Sequence, residues 1–491
     1  MGTRISKSKF IAGCQCLKRL YWQVRQPEFA AERDGATEAI IQQGREAGLL
    51  AQRLFPGGME VCERSLDQAI RTTRELVANP SIPAIFEGTF EDGGVLVRVD
   101  VLHRRADGRL RLIEVKSSAS LKEEHLDDVA IQYRVLSRCG LDVGSCCLAH
   151  VNRSYVFRGG SVDPWRFFRI RNLTRQVQRL QPKITFQLRS EFTILSMPKA
   201  PDIAPGRRCT DPVTCEFFDH CNPPRPNDHI GFLPRIHANA MEELEEMGIE
   251  SIRDIPDDFE LTEVQRRAAD CVRTQEPWFD RDGLTAKLAT LRYPIAYLDF
   301  ETRNPAIPRF SGMCPFDHIC FQFSLHTQSK PGAALEHVEF LATDAKDPRR
   351  EFVSSLCPAL ARSGSIVVYS SFECQRLSEL ASWFPEFADR INSIQARLFD
   401  LLPVVREHTY HPAYAGSYSI KSVLPALVPG LTYEHMLVAN GQDAGLAWES
   451  LVRGGLNDDK RERTRKALLD YCGQDTLAMV RLLEALRLLS T

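Results

Sequence analysis

The sequence predicts a multidomain α/β protein, and three observations support that class. The chain has 491 residues, which is more than one hydrophobic core ordinarily spans. Segments with strand periodicity alternate with helix-patterned segments in two separate regions. A proline- and cysteine-rich stretch, followed by short helical patterns, divides those regions. We therefore expect an α/β domain over 1–225, a helical linker over 226–291 and a second α/β domain over 292–491.

Composition narrows the class of protein further. Apolar residues make up 43% of the chain and charged residues 26%, which is typical of a globular protein. The net charge of −2 excludes a uniformly basic nucleic-acid binder, although it permits a local basic groove. No apolar run has the length of a bilayer span, and the N-terminus "MGTRISKSKF" lacks the apolar centre of a secretory signal. We expect a cytoplasmic protein without a membrane partner.

The N-terminal region carries the pattern of an α/β unit. Its periodicity predicts a helix over 35–55, three strands, a helix over 123–138 and a further strand over 145–150. The three strands are "AIFEGTF", "VLVRVDVLH" and "RLRLIEVK".

Two carboxylates and a lysine lie on neighbouring strands of this unit. Asp100 lies in "VRVDVL", and Glu114 and Lys116 lie in "IEVKSS". The turn "RADGR" between the strands would bring the three side chains together at a sheet edge. Two carboxylates can hold Mg²⁺, which polarises a phosphate and acidifies water, while Lys116 would steady the nucleophile or the developing charge. The alternative is an ordinary surface ion pair at the end of a twisted hairpin.

This constellation resembles the PD-(D/E)xK nucleases, specifically their RecB-like branch, over roughly residues 1–225. The resemblance implies a restriction-endonuclease-like core and a third acid, Glu46, from the preceding helix. It also implies that Gln132 and Tyr133 touch the phosphate. That branch usually carries Q-x-x-x-Y, whereas here Tyr133 directly follows Gln132.

One group of cysteines has the spacing of a metal site. The chain has 15 cysteines, most of them single in apolar segments, but Cys209, Cys215 and Cys221 form C-x5-C-x5-C. The stretch "CQCLKRLYW" offers a fourth thiolate, and four thiolates are the usual complement of a [4Fe–4S] cluster. The pattern resembles the iron–sulfur RecB-like nucleases, which implies Cys16 rather than Cys14 as the N-terminal ligand. Tetrahedral Zn²⁺ is the alternative occupant.

Short helices are predicted between the two α/β regions. The turn "EMGIESIRDI" resembles a helix-hairpin-helix element, which presents backbone N–H groups to phosphates. The alternative is a plain helical linker that packs Leu244, Ile249 and Ile252. The C-terminal region then predicts strands at "IAYLDFE", "HICFQFSLH", "LEHVEFL" and "SIVVYSS", followed by helices.

A second group of acids belongs to the C-terminal region. Asp299 and Glu301 are two positions apart in an apolar strand, so both point to one side of the sheet. Two unpaired carboxylates in such a setting would be costly unless a cation neutralised them. Tyr471 and Asp475 share a face of the last helix, and Glu373 stands where a strand gives way to a helix. We expect the four acids to converge on divalent metal.

The second group resembles the DEDD exonucleases of the RNase H-like fold, in the subgroup marked by Y-x-x-x-D, over roughly residues 293–491. The resemblance implies two Mg²⁺ or Mn²⁺ ions held by Asp299, Glu301, Glu373 and Asp475, with Tyr471 orienting the attacking water. The family usually has Asp at the third acid, where this chain has Glu373. Asp400 is the alternative ligand, although capping of the helix that starts near Pro403 is the favoured role for it.

The order of parts resembles bacterial fusions of an iron–sulfur RecB-like nuclease with an RNase H-like domain, including a family known for a domain of unknown function. The leading hypothesis is a DNA nuclease with two metal-dependent centres, the C-terminal one cutting from 3′ ends. A second hypothesis is an exonuclease on RNA or single-stranded DNA with an inactive N-terminal clamp. A third is a non-enzymatic scaffold in a repair or defence complex. DNA is favoured over RNA as the partner, and a helicase is a candidate protein partner.

Overall fold

The computed structural model describes residues 4–222, 225–433 and 436–490. It has a mixed α/β, multidomain architecture, as the sequence predicts. The chain forms two compact units: residues 1–224 together with 305–317, and residues 225–304 together with 318–491. Residues 305–317 therefore belong to the first unit, although the chain on either side of them belongs to the second.

A seven-stranded mixed sheet lies at the centre of the described part of the first unit. Its strands are β1 (Ile5–Ser6), β2 (Met59–Glu60), β3 (Ala84–Asp92), β4 (Val95–Arg104), β5 (Leu110–Lys116), β6 (Val143–Val151) and β7 (Phe168–Asn172). The spatial order is β2-β3-β4-β5-β6-β7, and β1 pairs with β4. Strands β3, β4 and β5 form an antiparallel meander, whereas β6 joins β5 in parallel.

Helices cover this sheet. They are α1 (Lys7–Gln15), α2 (Leu17–Arg25), α3 (Gly35–Gln52), α4 (Leu66–Ala78), α5 (Glu123–Arg138), α6 (Pro164–Phe167), α7 (Thr174–Ser196) and α8 (Phe218–Cys221). A parallel pair such as β5 and β6 requires a crossover connection, and α5 provides it. Val129, Val135 and Leu136 of α5 pack into the same buried cluster as Val97 and Leu112 of the sheet.

A carboxyl group is buried between α1 and α7. Glu191 has no exposed surface, and a Cβ atom at Gly13 would lie 2.3 Å from its Oε1 atom, so a larger residue at position 13 would displace this carboxyl group. Gln187 Nε2 donates to Glu191 Oε1 at 2.9 Å. Among the described residues, Glu191 Oε2 finds no hydrogen-bond partner. Burial raises the pKa of Glu191 from 4.5 to about 8.

The raised pKa makes stability depend on pH with a defined sign. Below pH 4.5 this carboxyl is protonated in both states; between pH 4.5 and about 8 only the unfolded chain has lost the proton, so the free energy of unfolding falls as pH rises. Glu191→Gln should therefore raise the melting temperature at pH 8 by several degrees, because a pKa shift of one unit corresponds to about 1.4 kcal/mol of stability. It should also reduce the fall of the melting temperature between pH 5 and pH 8. Thermal melts of this variant and of Glu75→Gln, which changes an exposed acid of α4, test it. Equal pH profiles for wild type and Glu191→Gln would contradict the account.

The second unit contains a five-stranded sheet and a two-stranded sheet within its described residues. Its strands are β8 (Trp278–Phe279), β9 (Ile295–Arg303), β10 (Ile319–Gln328), β11 (Leu335–Leu341), β12 (Ser365–Val368), β13 (Leu398–Asp400) and β14 (Thr409–Tyr410). The larger sheet has the order β11-β10-β9-β12-β13, and β8 pairs with β14. Strands β9, β10 and β11 are antiparallel, whereas β12 and β13 continue the sheet in parallel with β9.

The helices of the second unit follow the order of the chain. They are α9 (Ala238–Glu246), α10 (Glu263–Thr274), α11 (Arg281–Leu288), α12 (Arg349–Ala359), α13 (Phe372–Trp383), α14 (Ala388–Gln395), α15 (Leu401–His408), α16 (Ile420–Leu427), α17 (Gly441–Arg453) and α18 (Asp458–Leu489). In the part of the chain that the structure describes, no helix is long and apolar enough to cross a membrane.

The central strand β9 is buried on both faces, and its alternation assigns each face a different partner. Leu298 and Phe300 pack in one cluster with Phe352 of α12. Ile295 and Tyr297 pack in another cluster with residues of α18. Because side chains alternate along a strand, Asp299 and Glu301 share the face of Ile295 and Tyr297. The face that carries the two acids is thus the one that α18 covers.

Residues 226–291, predicted as a helical linker, belong to the second unit in the structure. Leu244, Ile252 and Leu284 lie in the same buried cluster as Ile295 and Met479. Apolar burial of this kind is what joins a segment to a domain core.

Candidate functional site

In the second unit, two elements bring the predicted acids together. Asp299 and Glu301 lie on β9, and Tyr471, Cys472 and Asp475 lie on the middle of α18. One donor atom each from Asp299, Glu301 and Cys472 lies within 4.8 Å of the other two. The Cys472 Sγ atom is 3.5 Å from Asp299 Oδ2. A strand and a distant helix therefore place two carboxylates and a thiol around one point.

Two tyrosines hold the carboxylate of Asp475. Tyr433 donates its hydroxyl proton to Asp475 Oδ1 at 2.6 Å. A hydrogen bond from Tyr471 also lowers the pKa of Asp475, although burial raises it more. The Asp475 carboxylate is thus fixed in direction.

A lysine in the first turn of α16 reaches the same site. Lys421 Nζ donates to the Tyr471 hydroxyl at 3.2 Å and also to the backbone carbonyl of Ala439. The ammonium group lies 5.0 Å from the ring centroids of both Tyr433 and Tyr471. Its positive charge lowers the pKa values of Glu301 and Asp475, against the larger effect of burial. The structure thus places Lys421 beside Tyr471 and the acids of β9 and α18.

Glu373 begins α13 and is buried, with 4% of its surface exposed. No hydrogen-bond partner for its Oε2 atom occurs among residues 4–222, 225–433 and 436–490. Its charge raises the pKa values of Asp299 and Glu301, which shows that it lies near them. Asp400, the alternative ligand, accepts a hydrogen bond from Leu402 N at 2.9 Å and caps α15, so its predicted capping role is confirmed.

The electrostatics of this group favour a bound cation. Burial, together with mutual repulsion, holds the pKa values of Asp299 and Glu301 well above their usual range. Burial raises the pKa of Glu373 to about 8, and it also raises that of Asp475. Buried carboxylates of like charge are stable together only if they are protonated or if a cation neutralises them. The unpartnered Glu373 Oε2 atom and the oxygen-rich donor set fit a divalent metal.

In the first unit, the predicted strand ends also meet. Asp100 Oδ2 accepts a hydrogen bond from the backbone N–H of Val115 at 2.7 Å, and Lys116 Nζ lies 2.8 Å from Glu114 Oε1. Asp100, Glu114 and Lys116 line one cavity of about 720 Å³. Burial, followed by the charge of Glu114, raises the pKa of Asp100 to about 8.

Glu114 is more fully bonded than its sequence pattern suggests. Lys7 of α1 donates to its two oxygens at 2.9 and 3.0 Å, and Gln132 donates to Oε2 at 2.7 Å. Burial alone would raise the pKa of Glu114, but the charges of Lys116 and Lys7 and these hydrogen bonds lower it below the usual range. Both lysines also pair with Asp128 of α5. Lys7 and Asp128 were not predicted from the sequence.

Gln132 and Glu46 occupy different settings from those that the resemblance implies. Gln132 is completely buried, and its amide donates to the Glu114 carboxylate and to the carbonyl of Asp128. The Gln132 amide thus orients the Glu114 carboxylate. Glu46 is partly exposed on α3 and accepts a hydrogen bond from Gln42, one turn earlier, at 3.2 Å. The phosphate and metal roles assigned to these two residues stay predictions.

A further acid faces the cavity of the first unit. Glu87 lies on β3 between Phe86 and Gly88, opposite Asp100, and has a backbone φ of 56°. That left-handed conformation is uncommon for a residue with a side chain, and such strain gathers at functional sites. Burial raises the pKa of Glu87, and its side chain lines the same cavity as Asp100 and Glu114. A glutamate in a strand pattern gives no sequence signal of this conformation.

The four predicted cluster ligands all belong to the first unit. All are free thiols, and the charge of Cys16 raises the pKa values of Cys215 and Cys221, after the larger effect of burial. The backbone N–H of Cys215 donates to the carbonyl of Cys209 at 2.8 Å. Cys14, in contrast, is surrounded by Asp127, Glu191 and Lys183. Cys14 and Cys16 thus have different surroundings, and the ligand role of Cys16 stays a prediction.

Comparisons with known proteins show a similarity to a protein family over one segment of the chain. A solved structure described as the crystal structure of SSO0001 is 14% identical; the match covers 41% of this chain and 88% of that chain, with a TM-score of 0.19, which is too low to indicate a shared fold. No curated protein matches the chain. A protein-family model also matches part of the chain. This match begins within β9 and ends before α16, so it includes Asp299, Glu301 and Glu373 but not Asp475. Residues 296–419 match the model of a protein family described as a domain of unknown function, DUF2779.

Proposed function

We propose that this protein is a metal-dependent nuclease whose C-terminal centre removes nucleotides from 3′ ends. The observation that carries the proposal is the group of four buried carboxylates on β9, α13 and α18, whose charges act on one another and one of which, Glu373, has an unpartnered oxygen. When bound, Mg²⁺ or Mn²⁺ would polarise the scissile phosphate and acidify the attacking water. The antiparallel meander β9-β10-β11, continued by parallel β12 and β13, supports an RNase H-like fold for this unit.

Residues of the chain would bind the metal, orient one of its ligands and add positive charge at this centre. Asp299, Glu301, Glu373 and Asp475 would supply the metal's oxygen ligands. Tyr433 and Tyr471 fix the direction of the Asp475 carboxylate, which keeps that ligand oriented before substrate arrives. Lys421 holds the Tyr471 hydroxyl and adds positive charge where a phosphate would lie.

A second centre in the first unit is part of the proposal. The cavity lined by Asp100, Glu114 and Lys116 supports a PD-(D/E)xK type of phosphodiester hydrolysis. Lys116 would stabilise negative charge on the phosphate, and Gln132 would hold Glu114 in place. The sequence spacing of Cys209, Cys215 and Cys221, together with the charge effect of Cys16 on Cys215 and Cys221, supports a structural [4Fe–4S] cluster, with Zn²⁺ as the alternative.

One observation favours a second candidate function for the first unit. Lys7 and Lys116 both bind Glu114, so two ammonium groups already neutralise the acids that would hold metal. A unit with that arrangement could serve as a nucleic-acid clamp, with cleavage confined to the C-terminal centre. DNA is the favoured polymer in both cases.

An assay on end-labelled oligonucleotides tests the proposal. Anaerobically purified full chain is incubated with single- and double-stranded DNA and RNA, each labelled at the 5′ or the 3′ end, with Mg²⁺, Mn²⁺ or EDTA. We expect a metal-dependent ladder of 5′-labelled products that shorten from the 3′ end, and no products in EDTA. Absence of cleavage on every substrate would overturn the proposal and leave a non-enzymatic scaffold.

A further inference from the structure

The thiol of Cys472 faces the acids of the C-terminal centre. Cys472 is completely buried on α18, directly after Tyr471. Its Sγ atom lies 3.5 Å from Asp299 Oδ2, and it shares a 4.8 Å donor group with Asp299 and Glu301. A buried cysteine in an ordinary core faces apolar side chains, whereas this one faces two carboxylates.

The spacing of these donors is that of ligands around one cation. With metal–sulfur and metal–oxygen bonds of about 2.3 and 2.0–2.2 Å, a tetrahedral angle places sulfur and oxygen about 3.5 Å apart. The distance between Cys472 Sγ and Asp299 Oδ2 is 3.5 Å. These two atoms could therefore bind one ion without a change in their separation.

An independent observation indicates that the site takes a ligand of positive charge. Glu373 is buried to 4% exposure, its charge acts on Asp299 and Glu301, and its Oε2 atom lacks a hydrogen-bond partner among the described residues. A buried carboxylate oxygen that receives no proton donor is available to a cation.

We propose that Cys472 is a ligand of the C-terminal centre and gives it a preference for a thiophilic divalent cation of the zinc class over Mg²⁺. Thiolate donors select zinc-like cations, whereas carboxylate and water ligands suit Mg²⁺. On binding, the cation replaces the thiol proton, which passes to solvent. The proposal rests on the proposed function only in placing a metal at this centre, and it makes Cys472 the residue that determines which metal is held.

The test measures thiolate coordination directly. The full chain, with its cysteine cluster loaded, is titrated with Co²⁺ and Cd²⁺, and the sulfur-to-metal charge-transfer absorbance is compared for wild type, Cys472→Ser, Cys472→Ala and the control Cys320→Ser. Cys320 is a buried cysteine of β10 in the same unit. We expect both Cys472 variants to lose one thiolate's share of the band and to bind Zn²⁺ at least about tenfold more weakly. The control should match wild type.

The outcomes separate this inference from the proposed function. An unchanged band and unchanged Zn²⁺ affinity in Cys472→Ser and Cys472→Ala would overturn the inference, even if Mn²⁺-dependent cleavage persisted. Loss of the band in a chain that cleaves no nucleic acid would support the ligand role and overturn the nuclease proposal. Because alanine packs without a polar group, a folded Cys472→Ala keeps the test decisive if the serine variant does not fold; circular dichroism monitors both.

Discussion

Asp299→Asn should reduce exonuclease activity by about 10²–10³-fold or more, because it removes a charged ligand from the group that would hold the metal. The asparagine side chain keeps the size of the carboxylate, so the neighbours Glu301 and Cys472 keep their packing. The same change removes one of several repelling charges, since the pKa of Asp299 is raised by burial and by Asp475, Glu301 and Glu373. We therefore expect the metal-free variant to melt at a higher temperature than wild type.

Opposite effects on activity and stability distinguish a ligand from a structural residue. The control is Glu339→Gln, which alters an exposed acid of β11 in the same sheet. Initial rates on a 5′-labelled oligonucleotide and thermal melts in EDTA provide the two measurements. Wild-type rates for Asp299→Asn would show that the carboxylate holds no catalytic metal.

The second large effect is expected at the first unit. Lys116→Met should reduce the rate of cleavage by that centre about 10²-fold or more, because it removes the positive charge beside Glu114. It should also lower the free energy of unfolding by about 1–3 kcal/mol, since Glu114 and Asp128 lose one of two shared lysines but keep Lys7.

The two centres are separated by measuring Lys116→Met alone and together with Asp299→Asn. We expect the single variant to keep 3′-end trimming and the double variant to lose all cleavage. Lys183→Met is the matched control, because it removes a lysine that pairs with Asp127 of α5 and not with Asp128, the partner of Lys116. If Lys116→Met leaves every product unchanged, the first unit acts as a clamp.

Local patterns in the sequence were sufficient for the longer strands of the two large sheets and for helices α3 and α5. The segment "LEHVEFL" predicts a strand that coincides with β11 (Leu335–Leu341), and the helix predicted over 123–138 coincides with α5. Strand β13 (Leu398–Asp400) was not predicted, because three residues carry no periodicity and its strand character comes from pairing with β12. Strand β1 (Ile5–Ser6) escaped prediction for the same reason.

The predicted acids could be found because carboxylates flanked by apolar strand residues are conspicuous. The residues that hydrogen-bond to these acids could not be found in the same way, because they are distant from the acids in sequence. Lys7 reaches Glu114 across 107 positions, and Tyr433 reaches Asp475 across 42. Nothing in "SKSKF" or "GLTYEH" distinguishes these residues from exposed ones. Tertiary packing alone makes them part of the two sites.

The claim on which the account depends is that the acids of the C-terminal centre bind a divalent cation. Titration of the full chain with Mn²⁺, followed by the electron paramagnetic resonance signal of the free ion, measures that binding without reference to activity. Wild type is compared with the variant that carries Asp299→Asn and Asp475→Asn. The account predicts that wild type binds at least one more Mn²⁺ per chain than the variant. Equal numbers of ions bound with equal affinity would contradict it.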